Sequence, residues 1–132
     1  MTDLLPKKIV QKPWGKEIWL ELNDKYCYKI IQINKGQRTS LQYHNQKLET
    51  IYVVSGIAEI WLENDKGQIE KLKAEAGSVV NVKPGRKHRL IGITDIILQE
   101  ASTPEVDDVI RIEDDTCRGN GRIESEHSMA SN

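Results

Sequence analysis

The strongest constraint on the fold is a rhythm. Across 132 residues no stretch of about 11 to 18 residues carries the apolar period of an amphipathic helix. Instead, short runs rich in β-branched and aromatic residues recur between turn formers. These runs fall at residues 17–22, 25–34, 49–54, 57–62, 68–74, 78–82, 88–91, 95–100 and 109–112. Between them stand Asn23-Asp24, Lys35-Gly36, Ser55-Gly56, Asn64 to Gly67 and Pro84-Gly85, where Gly, Pro, Asn and Asp supply turn conformations. With the run that carries Gln42, about ten short strands result, a pattern that builds an all-β sandwich or barrel. There is no internal repeat and no linker, so residues 12–118 are expected to form one domain. Residues 1–11 read as a leading arm. Residues 119–132, polar and small, read as a mobile tail in which His127 is a solvated side chain.

Residues 36–56 hold the densest chemistry. Gln42 and His44 are two apart, so on an extended strand both side chains leave one face. The turn-like Asn45-Gln46-Lys47-Leu48 then returns the chain so that Glu49 opens the next strand. The chain has only three histidines, and His88 follows a short apolar run and the Pro84-Gly85 turn. Two imidazoles, a carboxylate and an amide oxygen would make a nitrogen and oxygen site suited to Zn and also to Mn, Fe, Co or Ni. Ligand type alone does not choose among them. Gln is a weaker donor than His, which favours a Lewis-acid role over oxygen activation.

The spacing from Gly36 through Gln42, His44 and Glu49 to Gly56, followed by Gly77, Gly85 and His88, resembles the two signature motifs of the cupins. With Gln42 in place of the more usual first histidine, the set is similar to the metal site of phosphomannose isomerases. Lys12-Pro13-Trp14-Gly15, Lys29, Ser40-Leu41-Gln42 with His44, Glu100 to Glu105 and the Asp107 to Arg118 stretch resemble the cupin half of the bacterial type II enzymes, over roughly residues 12–118. The chain departs from that pattern at Lys83, at Gly92, in the turn 45–48 and at Thr116-Cys117-Arg118.

The resemblance implies a cupin jelly roll, a double-stranded β-helix, with Gln42, His44, Glu49 and His88 as ligands of one divalent metal, Zn foremost. It implies an aldose–ketose isomerase of the mannose 6-phosphate and fructose 6-phosphate type, working through an enediol. Glu100 is the candidate base, with a surface carboxylate at a strand end as the plain alternative. Lys29 and Arg118 are the candidate phosphate contacts, and Arg118 could equally pair with Glu113, Asp114 or Asp115. Arg111 alternates with Ile110 and Ile112, which suggests that it faces solvent. The facing of Arg38 and Arg89 is open. Competing functions are a non-catalytic module that binds metal and a small carbohydrate, an iron-dependent oxygenase, and a metal-free epimerase.

Charge narrows the partners. Nineteen Lys and Arg against 20 Asp and Glu leave a formal net charge of −1, so no global field favours nucleic acid or an anionic membrane. Neither a spanning apolar run nor a secretory signal is evident, and the chain reads as cytoplasmic. Cys27 and Cys117 form no metal-binding or redox pair. The edge strands of an open jelly roll favour a homodimer.

Overall fold

A computed structural model describes residues 4–129, with side chains through His127. The elements are β1 (Lys8–Lys12), β2 (Gly15–Leu22), β3 (Cys27–Ile33), β4 (Leu41–Tyr43), β5 (Glu49–Ser55), β6 (Ile57–Glu63), β7 (Ile69–Glu75), β8 (Val79–Val82), β9 (His88–Gly92), β10 (Ile96–Ser102), β11 (Ile110–Glu113) and a short helix, α1 (Glu124–Met129). The strands form two antiparallel sheets, one in the order β1-β2-β3-β10-β5-β8 and the other β11-β4-β9-β6-β7. This is the expected single-domain jelly roll. No helix among the described residues is long and apolar enough to cross a membrane.

Side-chain alternation explains how the sandwich closes. Along β3 the inward positions are Cys27, Lys29, Ile31 and Ile33; along β10 they are Ile96, Leu98, Glu100 and Ser102; along β5, Glu49, Ile51 and Val53. Ile31, Ile33, Ile51, Val53, Ile96 and Leu98 meet Ala58, Ile60 and Leu90 of the facing sheet in one apolar cluster. The inward row then turns ionic at the opposite end, where Lys29 pairs in register with Glu100. Apolar packing at one end of the sandwich carries the stability, and the other end is free to hold charge.

Glycine is indispensable at Gly56, between β5 and β6. Its φ is +89°, and a Cβ there would come 2.2 Å from the Asp95 carbonyl oxygen, closer than any side chain can stand.

Both termini depart from the sequence expectation. Residues 8–12 are no arm: they form edge strand β1, paired with β2 from Lys8 opposite Trp19 to Lys12 opposite Gly15. Residues 119–129 do not run free either. Helix α1 packs beside β1, and His127, expected to be solvated, is 5% exposed. Its ring meets Trp19 edge to face at 5.5 Å between centroids. The signal was hidden because α1 is only six residues long, too short to display a helical period. Residues 1–3 and 130–132 lie outside the described residues.

Candidate metal centre and cavity

His44 directly follows β4, Glu49 opens β5 and His88 opens β9, so three strand ends converge at the ionic end of the sandwich. All three side chains are buried, and their ligand atoms lie within 4.8 Å of one another. Glu49 Oε1 stands 3.8 Å from His44 Nε2 and 3.4 Å from His88 Nε2.

The hydrogen bonds fix which nitrogen each ring offers. His44 Nδ1 donates to the Asp108 carbonyl oxygen, and His88 Nδ1 donates to the Arg86 carbonyl oxygen at 2.9 Å. Both Nε2 atoms are buried without a hydrogen-bond partner and turn their lone pairs toward Glu49. Orphaned buried nitrogens, oriented through the opposite ring atom, are the arrangement a metal ligand needs. The residues fit a divalent ion.

Gln42 lies opposite His88 across β4 and β9 and lines the same cavity. Its Oε1 accepts a hydrogen bond from the Ser40 hydroxyl at 2.6 Å. The structure therefore places Gln42 beside the cluster.

Glu100 is 4% exposed and faces the cavity, so it is no surface carboxylate. The residue that organises it is Lys47. Its Nζ sits 2.8 Å from Glu49 Oε2 and 3.0 Å from Glu100 Oε2. Burial disfavours the charge on Lys47, but Glu100 and Glu49 together carry its pKa above the ordinary lysine value. Burial likewise opposes ionisation of Glu49, yet the Lys47 ammonium holds its carboxyl well below the usual range. At Glu100, burial and then the charge of Glu49 prevail over Lys47 and push the carboxyl up. Two neighbouring carboxylates are thus driven apart in proton affinity.

Lys29 lines the cavity, but it pairs with Glu17 at 3.2 Å and lies 4.4 Å above the Trp19 ring. Burial works against the Glu17 charge, and Lys29 and Lys12 nevertheless bring its pKa down to about 2. Arg118 also lines the cavity; of its possible partners it takes Asp114, at 2.9 Å, and Glu126, at 3.2 Å. Arg111, expected to face solvent, lines the cavity instead. It stands opposite Gln42 across β11 and β4 and donates to the carbonyl oxygens of Gly119 and Gly121. Its apolar neighbour Ile112 is the one turned outward, 44% exposed. Alternation identified the strand and misled on its facing, because the interior here is polar. Arg38 and Arg89 serve structure: Arg38 pairs with Asp115 at 2.8 Å, and the buried Arg89 donates to the Thr39 and Glu113 carbonyl oxygens.

Lys47 and Asp108 escaped the sequence reading. Asp108 accepts hydrogen bonds from the backbone N–H groups of Asn45, Gln46 and Lys47 at 2.7 to 3.1 Å, so its carboxylate shapes the turn that delivers Glu49. The signal for Lys47 was its place two residues before Glu49 in a turn too tight to project a long chain freely.

Comparison with known proteins bears on the family and the fold. A family profile described as "Mannose-6-phosphate isomerase C-terminal" matches residues 3–114. A mannose-1-phosphate guanylyltransferase of Escherichia coli is 30% identical over 109 residues, 80% of this chain and 22% of that protein. The xanthan biosynthesis protein XanB of Xanthomonas campestris is 31% identical over 110 residues, again 80% of this chain and 22% of its own length. The chain thus spans about a fifth of the curated relatives it matches. Among solved structures, KdgF from Halomonas superposes with a TM-score of 0.67 at 17% identity, covering 77% of this chain and 91% of that one. An RmlC-like cupin from Shewanella frigidimarina gives 0.64 at 23% identity, covering 78% and 92%. By this match across most of its length, the chain belongs to the mannose-6-phosphate isomerase C-terminal family, and its fold is that of the cupins.

Proposed function

We propose that the cavity is the active site of a metal-dependent aldose–ketose isomerase acting on a sugar phosphate of the mannose 6-phosphate and fructose 6-phosphate type. The observation that carries this reading is the pairing of two buried carboxylates with unequal proton affinity beside two orphaned imidazole nitrogens. His44, Glu49 and His88, with Gln42 as the fourth donor, would hold the ion. A divalent ion there, Zn foremost, would polarise the adjacent oxygens of the sugar and acidify the C–H between them.

The chain's own groups account for the proton transfer. Glu100, whose burial makes it a stronger base than an exposed glutamate, takes the proton from C2 and returns it to C1, while the hydroxyl proton passes from O2 to O1, so that aldose becomes ketose with no net gain or loss of protons. Lys47 keeps Glu100 and Glu49 oriented by its two ion pairs. Trp14, Ile31 and Leu90 line the same cavity and exclude water from the enediol. Arg118 holds the phosphate, with Lys29 and Lys12 on the same cavity wall as the further cations for it. The names of the family and of the guanylyltransferase relatives support a mannose phosphate as the substrate class.

The test is metal analysis of the purified protein, followed by proton exchange at C2 of mannose 6-phosphate in deuterated water. Exchange with fructose 6-phosphate formation, abolished by chelation, is the expected result. Bound metal with neither exchange nor isomer would refute isomerisation and leave a module that binds metal and carbohydrate.

A further inference from the structure

The cavity as described encloses about 70 Å³, whereas pockets that hold ligands of sugar-phosphate size run from about 300 Å³ upward. A hexose phosphate therefore enters only if part of the wall moves. About half of the lining comes from strands locked into two sheets. The rest comes from turns and from two longer segments, Val106, Asp107 and Val109 between β10 and β11, and Arg118, Gly121, Arg122 and His127 after β11; the last of these ends in the short helix α1.

The start of that segment is tied down by Arg111, which donates to the Gly119 and Gly121 carbonyl oxygens; its end, α1, is fastened by a carboxylate. Glu126 on α1 takes Lys12 Nζ at 2.8 Å through Oε1 and Arg118 Nη1 at 3.2 Å through Oε2. All three side chains are about nine-tenths buried. Lys12 and Arg118 line the cavity, but Glu126 does not. Two cations of the cavity wall are thus bridged by one two-pronged anion, spaced as two oxygens of a phosphate would be; Arg118 also holds Asp114 at 2.9 Å. The His127–Trp19 contact adds to these ion pairs, and a helix of six residues is a short element of the kind that opens locally before the sandwich does.

We infer that α1 is a self-closing lid whose Glu126 bridges the cavity-wall cations Lys12 and Arg118, and that a substrate phosphate displaces this carboxylate from them as it enters. The inference rests on the sugar-phosphate reading for the identity of the displacing anion. The lid keeps Lys12 paired when no ligand is bound, since a buried charge without a partner is strongly destabilising, while Arg118 keeps Asp114 as a second partner.

Inorganic phosphate is the probe, titrated calorimetrically into the metal-free 132-residue chain at fixed ionic strength. Glu126→Gln keeps the size of the side chain and removes its charge. It should bind phosphate at least tenfold more tightly than the parent, and phosphate should raise its melting temperature more. Glu126→Ala should behave alike, and adding Lys12→Met to Glu126→Gln should erase the gain. Unchanged affinity in both Glu126 variants would overturn the inference, as would a gain that survives Lys12→Met. Because no turnover is read, tighter phosphate binding in a protein that isomerises no sugar phosphate would uphold the lid and refute only the isomerase. Isomerisation without any change in phosphate affinity would do the reverse.

Discussion

Replacing Lys47 with Met keeps an unbranched side chain of similar length but leaves Glu49 and Glu100 buried together with no cation between them. Each ion pair, near 3 Å, corresponds to about 6 kcal/mol of attraction at an effective dielectric constant of roughly 20, set against the desolvation of all three charges. The net penalty has a ceiling, because a carboxylate that cannot stay ionised takes up a proton. Glu100, already pushed up from 4.5 by burial and by Glu49, is the group that does so. Holding a proton at pH 7 on a group whose unfolded pKa is 4.5 costs about 3.4 kcal/mol at 1.36 kcal/mol per pH unit. In the variant the folded state thus binds more protons than the unfolded state between pH 5 and pH 7, so its stability falls as pH rises. Urea unfolding of the metal-free protein should show a deficit relative to the parent of about 3 kcal/mol at pH 7, shrinking to about 1 kcal/mol at pH 5. A deficit that does not vary with pH, or one below about 1 kcal/mol at pH 7, would refute the placement of Lys47 between two buried carboxylates.

Three further outcomes are expected. Asp108→Ala removes the acceptor for three backbone N–H groups of the turn before Glu49, and competitive chelation should show metal affinity lowered about tenfold; unaltered affinity would detach that turn from the site. The Glu17 carboxyl, held at about 2 against an ordinary 4.5, contributes stability that is fully present above pH 4.5 and is lost as pH falls toward 2. The advantage of the parent over Glu17→Gln should therefore shrink by about 2 kcal/mol between pH 6 and pH 3, and a constant gap in urea melts would count against the Lys29–Glu17 pair. Gly56→Ala forces a Cβ toward the Asp95 carbonyl at a φ of +89° and should cost at least about 2 kcal/mol in the same assay; a neutral substitution would mean that the β5–β6 junction yields.

Period-2 patterning and turn residues made the sandwich readable, because strand and turn preferences are local. The offsets of Gln42, His44 and Glu49 and the scarcity of histidine pointed to the strand ends where the ligands gather. What could not be read locally is the ionic half of the interior. Lys29, Lys47, Glu100 and Arg111 look like surface residues to any hydrophobicity pattern, yet they are compatible with burial because each has partners on elements distant in sequence: Glu17 for Lys29, Glu49 and Glu100 for Lys47, and the Gly119 and Gly121 carbonyls for Arg111. Glu126 and His127 were hidden for the same reason. Their burial depends on Lys12, Arg118 and Trp19, and six residues of helix leave no periodic trace.

Glu49 belongs to the six-stranded sheet, whereas His44 and His88 come from β4 and β9 of the five-stranded one. Any ion they share is therefore a bolt through the sandwich, joining two layers at the end where the interior turns ionic. Separation of the layers and loss of the ion become one event, so the slowest amide hydrogens to exchange in the loaded protein should flank the ligands as well as the apolar cluster. Stripping the ion should release protection on both sheets together, at the ionic end first.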